Sequence, residues 1–257
     1  MRYLQVVKIG ANSVFNNGAI DYSALSKLGY DLAHLRHEKE TGSVLVISGS
    51  ITLGMRQRGL SERPNDMVEL QSCARVGQPL LMDAYTKGLS RGYSLYFKDR
   101  NPVDLKLLTA QYLVTYHNLD DKKEIRNIVS GLKHDIVNGL VPLVNYNDGV
   151  DPTEVIRDND TLAARITKAL LANRLVILTD VDGLLDEESN LVQRVREIDD
   201  STKALCRKQG KGVGSMQTKL EAADLLLKEG IPTIIGNLRY GLLELIENEA
   251  IRTTFTK

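Results

Sequence analysis

The sequence predicts an α/β fold with a mainly parallel central sheet sandwiched by helices. Short, almost continuous apolar runs recur along the 257 residues, and longer stretches with helical leucine spacing separate them. Strands that are apolar on both faces are typical of a parallel sheet covered on both sides. With 42% hydrophobic residues, the chain is long enough to bury a substantial core. Helices between the strands would supply the right-handed crossovers that parallel pairing requires.

The apolar runs define six predicted strands, and the first opens the chain with the run YLQVVKI at Tyr3–Ile9. The other predicted strands lie at residues 44–48, 94–97, 141–145, 175–179 and 233–235.

Leucine spacing predicts the helices. A long helix is expected over residues 67–91, and Gly230 is expected to end the last of three shorter ones. The buried faces of these three are predicted to carry Leu25, Leu28, Leu32 and Leu35 in the first, Leu162, Ile166 and Leu170 in the second, and Leu220, Ala223 and Leu227 in the third.

Charge and cysteine usage exclude several classes of protein. The 33 basic and 33 acidic residues balance and form no basic stripe, so no nucleic-acid partner is predicted. Cys73 and Cys206 lie far apart in no C-x-x-C pattern, which fits a reducing cytoplasm. With no signal-peptide pattern and no run long enough to span a bilayer, we expect a cytoplasmic protein without a membrane partner. The four histidines lie in no ligand cluster and are predicted to be structural or exposed: His34, His37, His117 and His134.

Function is expected where the predicted strands end, because ligands bind beyond the carboxyl ends of parallel strands. Polar residues and glycines concentrate there, and an acidic run opens the helix before the fifth strand. The candidates are Lys8 and Gly10, Ser48 and Gly49, Asn145 and Asp148, Asp158, Asn159 and Asp160, and Thr179 and Asp180.

Two of these candidates have an ordinary structural alternative. Lys8 interrupts an apolar strand beside a glycine, so it is either an edge lysine that reaches solvent or a fixed cation aimed at a phosphate. Asp160 stands where a helix begins, so it is either an N-cap or a site carboxylate.

A glycine-rich segment, GKGVGSMQTK at residues 210–219, leads into the last long helix. Glycines before a helix can build an anion site from backbone N–H groups. The spacing matches neither the dinucleotide-binding fingerprint nor the P-loop. From the residues alone, an anion site and a flexible turn remain equal alternatives.

Seven segments in order carry a resemblance to a known family: VVKIGANSV, VISGSITLG, VGQPLLMDAY, VPLVNYNDGV, DNDTLAA, LTDVDGL and GVGSMQTKLEAA. Together they resemble the amino acid kinase family, and most closely its glutamate 5-kinase branch. The resemblance covers nearly the whole chain. It implies the amino acid kinase fold over residues 1–257 as a single domain, with an acceptor-binding part at about 1–170 and a nucleotide-binding part at about 171–257.

The resemblance also implies a reaction and its residues. The reaction would be ATP-dependent phosphorylation of the L-glutamate γ-carboxylate, the first step of proline biosynthesis. Lys8 and Lys219 would hold the transferring phosphoryl group and Asp160 would orient them. The implied acceptor residues are Ser48, Gly49, Asn145, Asp148 and Asn159, and the implied nucleotide residues are Lys8, Gly10, Thr179, Asp180, Gly212, Val213, Gly214, Ser215, Met216 and Lys219. The implied cofactors are ATP and Mg²⁺, with the ion bound mostly by nucleotide phosphates and water and no metal site built by the protein.

Departures from the family pattern leave the acceptor open. Tyr146 stands where an acidic residue is usual, Arg157 stands where a glycine is usual, and ISGS replaces the commoner SSGA. The alternative is therefore a sister kinase acting on another carboxylate or small acceptor. The family further implies a homo-oligomer, dimer or tetramer, and feedback inhibition by proline. The predicted helix over residues 67–91 is a candidate interface element. The C-terminal PUA domain of many bacterial relatives is not expected here.

Overall fold

A computed structural model describes residues 1–16, 19–100, 107–151, 159–208 and 215–257. The predicted α/β class is confirmed: in these residues an eight-stranded sheet is flanked by helices. The strands are β1 (Tyr3–Ile9), β2 (Phe15–Asn16), β3 (Ala19–Ile20), β4 (Thr41–Val46), β5 (Thr109–Val114), β6 (Val141–Tyr146), β7 (Arg174–Thr179), β8 (Arg194–Val195), β9 (Thr233–Asn237) and β10 (Arg252–Phe255).

The helices are α1 (Ala11–Val14), α2 (Tyr22–Glu38), α3 (Ser50–Gln57), α4 (Met67–Phe97), α5 (Tyr116–Asp120), α6 (Lys122–Val137), α7 (Asn159–Leu170), α8 (Asp200–Lys208), α9 (Met216–Lys228) and α10 (Leu242–Glu247). Two 3₁₀ turns lie at Leu238–Tyr240 and Glu249–Ile251. No helix of the described residues is both long enough and apolar enough to cross a membrane.

The strand order in the main sheet is β5-β6-β4-β1-β7-β9-β10-β8. All neighbours from β5 to β9 are parallel, and β10 is antiparallel to β9. The chain runs from β1 to β4 on one side, and later returns to β7 on the other side of β1. Such a reversal of strand order opens a crevice at the carboxyl ends of the strands, where ligands bind.

Two apolar clusters cover the two faces of the sheet. Val6 of β1 packs into the cluster that includes α7 and α9 residues, whereas Val7 packs into the cluster that includes α2 and α4 residues. Side chains alternate between faces along a strand, so Lys8 projects on the same side as Val6. Lys8 lies opposite Val46 of β4 and Ile177 of β7 in the middle of the sheet.

The strand predicted at residues 94–97 is wrong, because these residues form the last turn of α4. In α4, Leu89, Tyr93 and Tyr96 are buried at helical spacing in or beside the same core as α2. The local run SLYF has strand propensity, but the continuing helical face of a 31-residue helix overrides it. The predicted helix over 67–91 is therefore confirmed and extends six residues further, to Phe97.

Strands β5, β8 and β10 of the main sheet were not predicted, and neither was the short pair β2 and β3. β5 lies at the edge of the sheet and only its last residue, Val114, is buried, so its sequence lacks a continuous apolar run. The predicted glycine stop of the last long helix is confirmed, because α9 ends at Lys228 and Gly230 has a φ of +73°.

Candidate active site

A cavity of about 450 Å³ opens at the carboxyl ends of β1, β4, β6 and β7. It gathers residues from the whole length of the chain, which the strand ends bring to one edge of the sheet. The lining comprises Lys8, Gly10, Ala11, Asn12, Ser13, Ser48, Gly49, Ser50, Ile51, Thr52, Arg63, Asn145, Asp148, Asn159, Thr179, Asp180 and Lys219.

Two lysines from opposite ends of the chain meet on one carboxylate at this cavity. Lys8 Nζ lies 2.7 Å from Asp160 Oδ1, and Lys219 Nζ lies 3.2 Å from Asp160 Oδ2. All three residues are buried, with exposed fractions of 2%, 3% and 0% for Lys8, Lys219 and Asp160. This trio, the lysine–aspartate cluster, has one more positive than negative charge. An excess cation at a buried site favours an anionic guest such as a phosphoryl group.

Local structure brings each member of the cluster to this point. Lys8 is the last but one residue of the central strand β1, Asp160 is the second residue of α7, and Lys219 lies in the first turn of α9. Thr218 Oγ1 donates to Asp160 Oδ2 at 3.0 Å and thereby links the start of α9 to the start of α7. The interpretation of Lys8 as a solvent-reaching edge lysine is wrong, since the side chain is buried and paired. The carboxylate of Asp160 contacts both lysines and Thr218, which favours its interpretation as a site carboxylate over that of an N-cap.

The predicted acceptor residues lie together on one side of the cluster. Asn159 Nδ2 donates to Ser48 Oγ at 2.6 Å and lies 3.3 Å from Asn145 Oδ1. Asp148 Oδ2 accepts from Ser50 Oγ at 3.2 Å. These amide, hydroxyl and carboxylate groups can hold a small polar molecule beside the two lysines.

Gly49 connects β4 to α3 with a backbone that other residues rarely adopt. Its φ is +121°, and a Cβ there would lie 2.5 Å from Cε2 of Phe15. The turn lets Ser48 and Ser50 on either side of Gly49 both line the cavity.

We expect Gly49→Ala to lower the free energy of unfolding by about 3 kcal/mol, because φ strain and overpacking add. Gly59→Ala is the matched control. Gly59 also has a positive φ, of +71°, but a Cβ there would meet no described atom within 4 Å. Gly59→Ala should lower the free energy of unfolding by about 1 kcal/mol, because only the backbone strain contributes. Urea unfolding of both variants measures the difference, and equal losses would show that contact with Phe15 has no effect.

The predicted nucleotide residues are only partly described. Gly10, Thr179 and Asp180 line the cavity, and Thr179 Oγ1 lies 3.1 Å from Asp180 Oδ1. Gly212, Val213 and Gly214 lie outside the described residues, as do Asp158 and Arg157. Ser215 precedes α9, and the side chain of Met216 is buried in the apolar core rather than at the cavity.

Sequence reasoning missed several lining residues. Asn12 and Ser13 follow Gly10 within the first motif and Ser50 follows Gly49, so position after a strand could have indicated them. Arg63 belongs to the polar connection between α3 and α4, which has no motif, and only folding brings it to the cavity.

Tyr146 does not line this cavity. It follows Asn145 in β6, so it projects from the opposite face of the sheet, where it is 1% exposed and packs against Tyr116 with ring centroids 5.0 Å apart. Its departure from the family pattern therefore alters the core behind the site rather than the cavity wall.

A sequence model described as "Amino acid kinase family" matches residues 4–237. The chain belongs to the amino acid kinase family. Members with similar sequences include "Glutamate 5-kinase" of Thermoanaerobacter sp. (strain X514), 34% identical over 97% of this chain and 67% of that protein. Another, from Aromatoleum aromaticum, is 36% identical over 96% of this chain and 66% of that protein. The chain thus spans about two thirds of the length of these relatives.

Solved structures support the amino acid kinase fold. Carbamate kinase from Giardia lamblia has a TM-score of 0.63 at 15% identity, covering 99% of this chain and 98% of that chain. N-acetylglutamate synthase from Neisseria gonorrhoeae has a TM-score of 0.69 at 14% identity, covering 99% of this chain and 61% of that chain. At these identities the likeness concerns the fold alone, and the fold predicted from the motifs is confirmed.

Proposed function

We propose that this chain transfers the γ-phosphoryl group of ATP to the γ-carboxylate of L-glutamate. The single observation that carries the proposal is the buried cluster in which Lys8 and Lys219 meet on Asp160 between two sets of polar residues. The glutamate 5-kinases to which the chain is similar support the choice of glutamate. In this proposal the acceptor end of the cavity is formed by Ser48, Gly49, Asn145, Asp148 and Asn159. Gly10, Thr179 and Asp180 form its nucleotide end. The segment from Gly212 through Met216 is proposed to bind the nucleotide as well.

The chemistry requires positioning and positive charge more than proton transfer. An oxygen of the glutamate γ-carboxylate attacks the γ-phosphorus, the bond from that phosphorus to the β–γ bridging oxygen breaks, and ADP departs with the electron pair. Lys8 and Lys219 stabilise the charge that spreads over the phosphoryl oxygens. Asp160 keeps both ammonium groups oriented and offsets their repulsion. A carboxylate of pKa about 4.3 is already ionised at neutral pH, so the attacking group needs no general base.

The acceptor end has charges that complement an amino acid. Asp148 can receive the α-ammonium group, and Arg63 adds a guanidinium that can receive the α-carboxylate. The γ-carboxylate of the acceptor is the group to be phosphorylated, and it would then point toward the lysine–aspartate cluster.

Mg²⁺ fits this site as an ion that arrives with the nucleotide. Among the described residues, no three His, Cys, Asp or Glu side chains are grouped to hold a metal ion. Magnesium in kinases is commonly held by substrate phosphates, water and one or two carboxylates, and Asp180 is the carboxylate at the nucleotide end that would contribute. When bound, the ion neutralises phosphate charge.

A hydroxamate assay tests the proposal. With ATP, Mg²⁺ and hydroxylamine, L-glutamate should give γ-glutamyl hydroxamate at a rate that matches ADP release. Aspartate, N-acetylglutamate and carbamate, assayed by ADP release, should give at least tenfold lower kcat/KM. A preference for one of these three would replace glutamate with a sister acceptor. No transfer to any acceptor would refute the kinase proposal.

Further family properties belong to the same proposal. We propose a cytoplasmic homo-oligomer with α4 at its interface, since Val68, Val76 and Leu80 are exposed apolar residues on this helix. We also propose that proline competes with glutamate at the acceptor end. The division into an acceptor-binding part near residues 1–170 and a nucleotide-binding part near 171–257 follows the same assignment of roles.

A further inference from the structure

A chain of buried side-chain amides lies behind the acceptor end. Gln78 of α4, Asn145 of β6 and Asn159 of α7 are 9%, 1% and 3% exposed. Asn145 Nδ2 donates to Gln78 Oε1 at 2.8 Å, and Asn159 Nδ2 lies 3.3 Å from Asn145 Oδ1. This row of amides ends at the cavity, where Asn159 Nδ2 donates to Ser48 Oγ at 2.6 Å.

Backbone groups determine which way two of these amides face. Tyr146 N–H donates to Asn145 Oδ1 at 2.9 Å, so the Asn145 oxygen must lie on that side and its nitrogen on the other. Asn159 Nδ2 lies 3.3 Å from the Ile47 carbonyl oxygen, which can only accept. With both amides oriented, the buried Asn145 nitrogen requires an acceptor, and Gln78 Oε1 is that acceptor.

The same orientation determines what Ser48 offers to the cavity. Ser48 Oγ accepts the Asn159 N–H group, so its own hydroxyl hydrogen is directed elsewhere, and Ser48 is a partly exposed lining residue. An O–H group pointing into the cavity is a donor for a carboxylate oxygen of the acceptor. Gln78 thus connects α4 to the substrate-contacting hydroxyl through two asparagines.

We propose that Gln78 is a positioning residue for acceptor binding, which holds Asn145 and Asn159 so that Ser48 presents its hydroxyl group to the acceptor carboxylate. The inference rests on the proposed function, because it assumes that the acceptor occupies the Ser48 side of the cavity. Gln78 does not line this cavity, and its hydrogen bond toward the acceptor end is the one it accepts from Asn145.

Steady-state kinetics of Gln78→Leu test this role. Removing Oε1 leaves the Asn145 nitrogen without its acceptor, and we expect the KM for glutamate to rise about tenfold. The KM for ATP and kcat should stay within about twofold of wild type, because the lysine–aspartate cluster is unaltered. A general loosening of the fold would instead change both KM values together.

Two further variants separate orientation from packing. Gln78→Glu retains an Oε acceptor for Asn145 and should restore the KM for glutamate to within about threefold of wild type. Gln71→Leu is the matched control: it is the same change on the same helix, and Gln71 contacts the Val150 carbonyl oxygen rather than Asn145. It should leave the KM for glutamate unchanged. If Gln78→Leu is recovered unfolded, Gln78→Asn replaces it, because its shorter side chain withdraws the oxygen from Asn145.

The outcomes distinguish this inference from the proposed function. An unaltered KM for glutamate in Gln78→Leu, an equal rise in both KM values, or no restoration by Gln78→Glu would overturn the positioning role while the kinase activity stands. Should the wild type prefer another acceptor, the same comparison is made with that acceptor. Absence of transfer to every acceptor would overturn the proposed function and this inference together.

Discussion

Replacing Lys8 or Lys219 with methionine is expected to lower kcat by a factor of 10² to 10³ while the protein stays folded. Loss of one oriented donor that stabilises transition-state charge costs about 3–4 kcal/mol in activation free energy. Methionine preserves most of the buried volume, so packing changes little. Each variant still contains one lysine paired with Asp160, and therefore no uncompensated carboxylate is buried.

Turnover measured as glutamate-dependent ADP release, together with circular dichroism, checks this expectation. Lys228→Met is the matched control, since Lys228 lies at the far end of α9 and pairs with Asp224 on the surface. It should retain wild-type turnover. Rates near wild type in both Lys8→Met and Lys219→Met would eliminate the proposed roles of these lysines.

Asp160→Asn is expected to have the largest effect on stability in the site, a loss of about 3–5 kcal/mol in the free energy of unfolding. Asn preserves the shape of the side chain but removes the carboxylate that pairs with both buried ammonium groups, and breaking a buried ion pair typically costs this much. Activity should also fall, because the lysines lose the group that orients them.

A double variant tests the electrostatic cause. The cluster has a net charge of +1 in the wild type, +2 in Asp160→Asn and +1 again when Lys8→Met is added to Asp160→Asn. The double variant should therefore regain part of the lost stability in urea unfolding, although its activity should stay low. Asp224→Asn breaks an exposed pair and should cost less than about 1 kcal/mol. A loss in Asp160→Asn as small as this control would mean that the buried charges are compensated in another way.

The ends of the central strands were predictable because the pattern of apolar and polar residues that marks them is local in the sequence. A central parallel strand must be apolar on both faces, so the lysine at position 8 and the polar residues that follow positions 47, 144 and 178 stand out in the sequence. Edge strands follow no such rule. β5 is only partly buried and its sequence resembles a loop, whereas residues 94–97 resemble a strand and continue a helix.

The places of single residues at the site depend on distances between helices and strands that are far apart in the sequence. The hydrophobic periodicity of the sequence does not encode these distances. Arg63 stands in an unremarkable polar loop and reaches the cavity, whereas Tyr146 stands inside a site motif and is buried on the other face of the sheet. Gln78 lies in the motif VGQPLLMDAY, which assigns it no role, and its link to Asn145 depends on the tertiary contact between α4 and β6.

The amino-acid sequence by itself determined the α/β class, the family, and the strand ends at which the polar residues collect, because apolar runs and glycine turns act over a few neighbouring residues. Only the tertiary structure decided that Lys8 and Lys219 share Asp160, that Ser48 is oriented by amides reaching back to Gln78, and that Arg63 joins them. These contacts span most of the chain. They arise because the reversal of strand order at β1 brings distant segments to one edge of the sheet, where buried charges and amides must find partners.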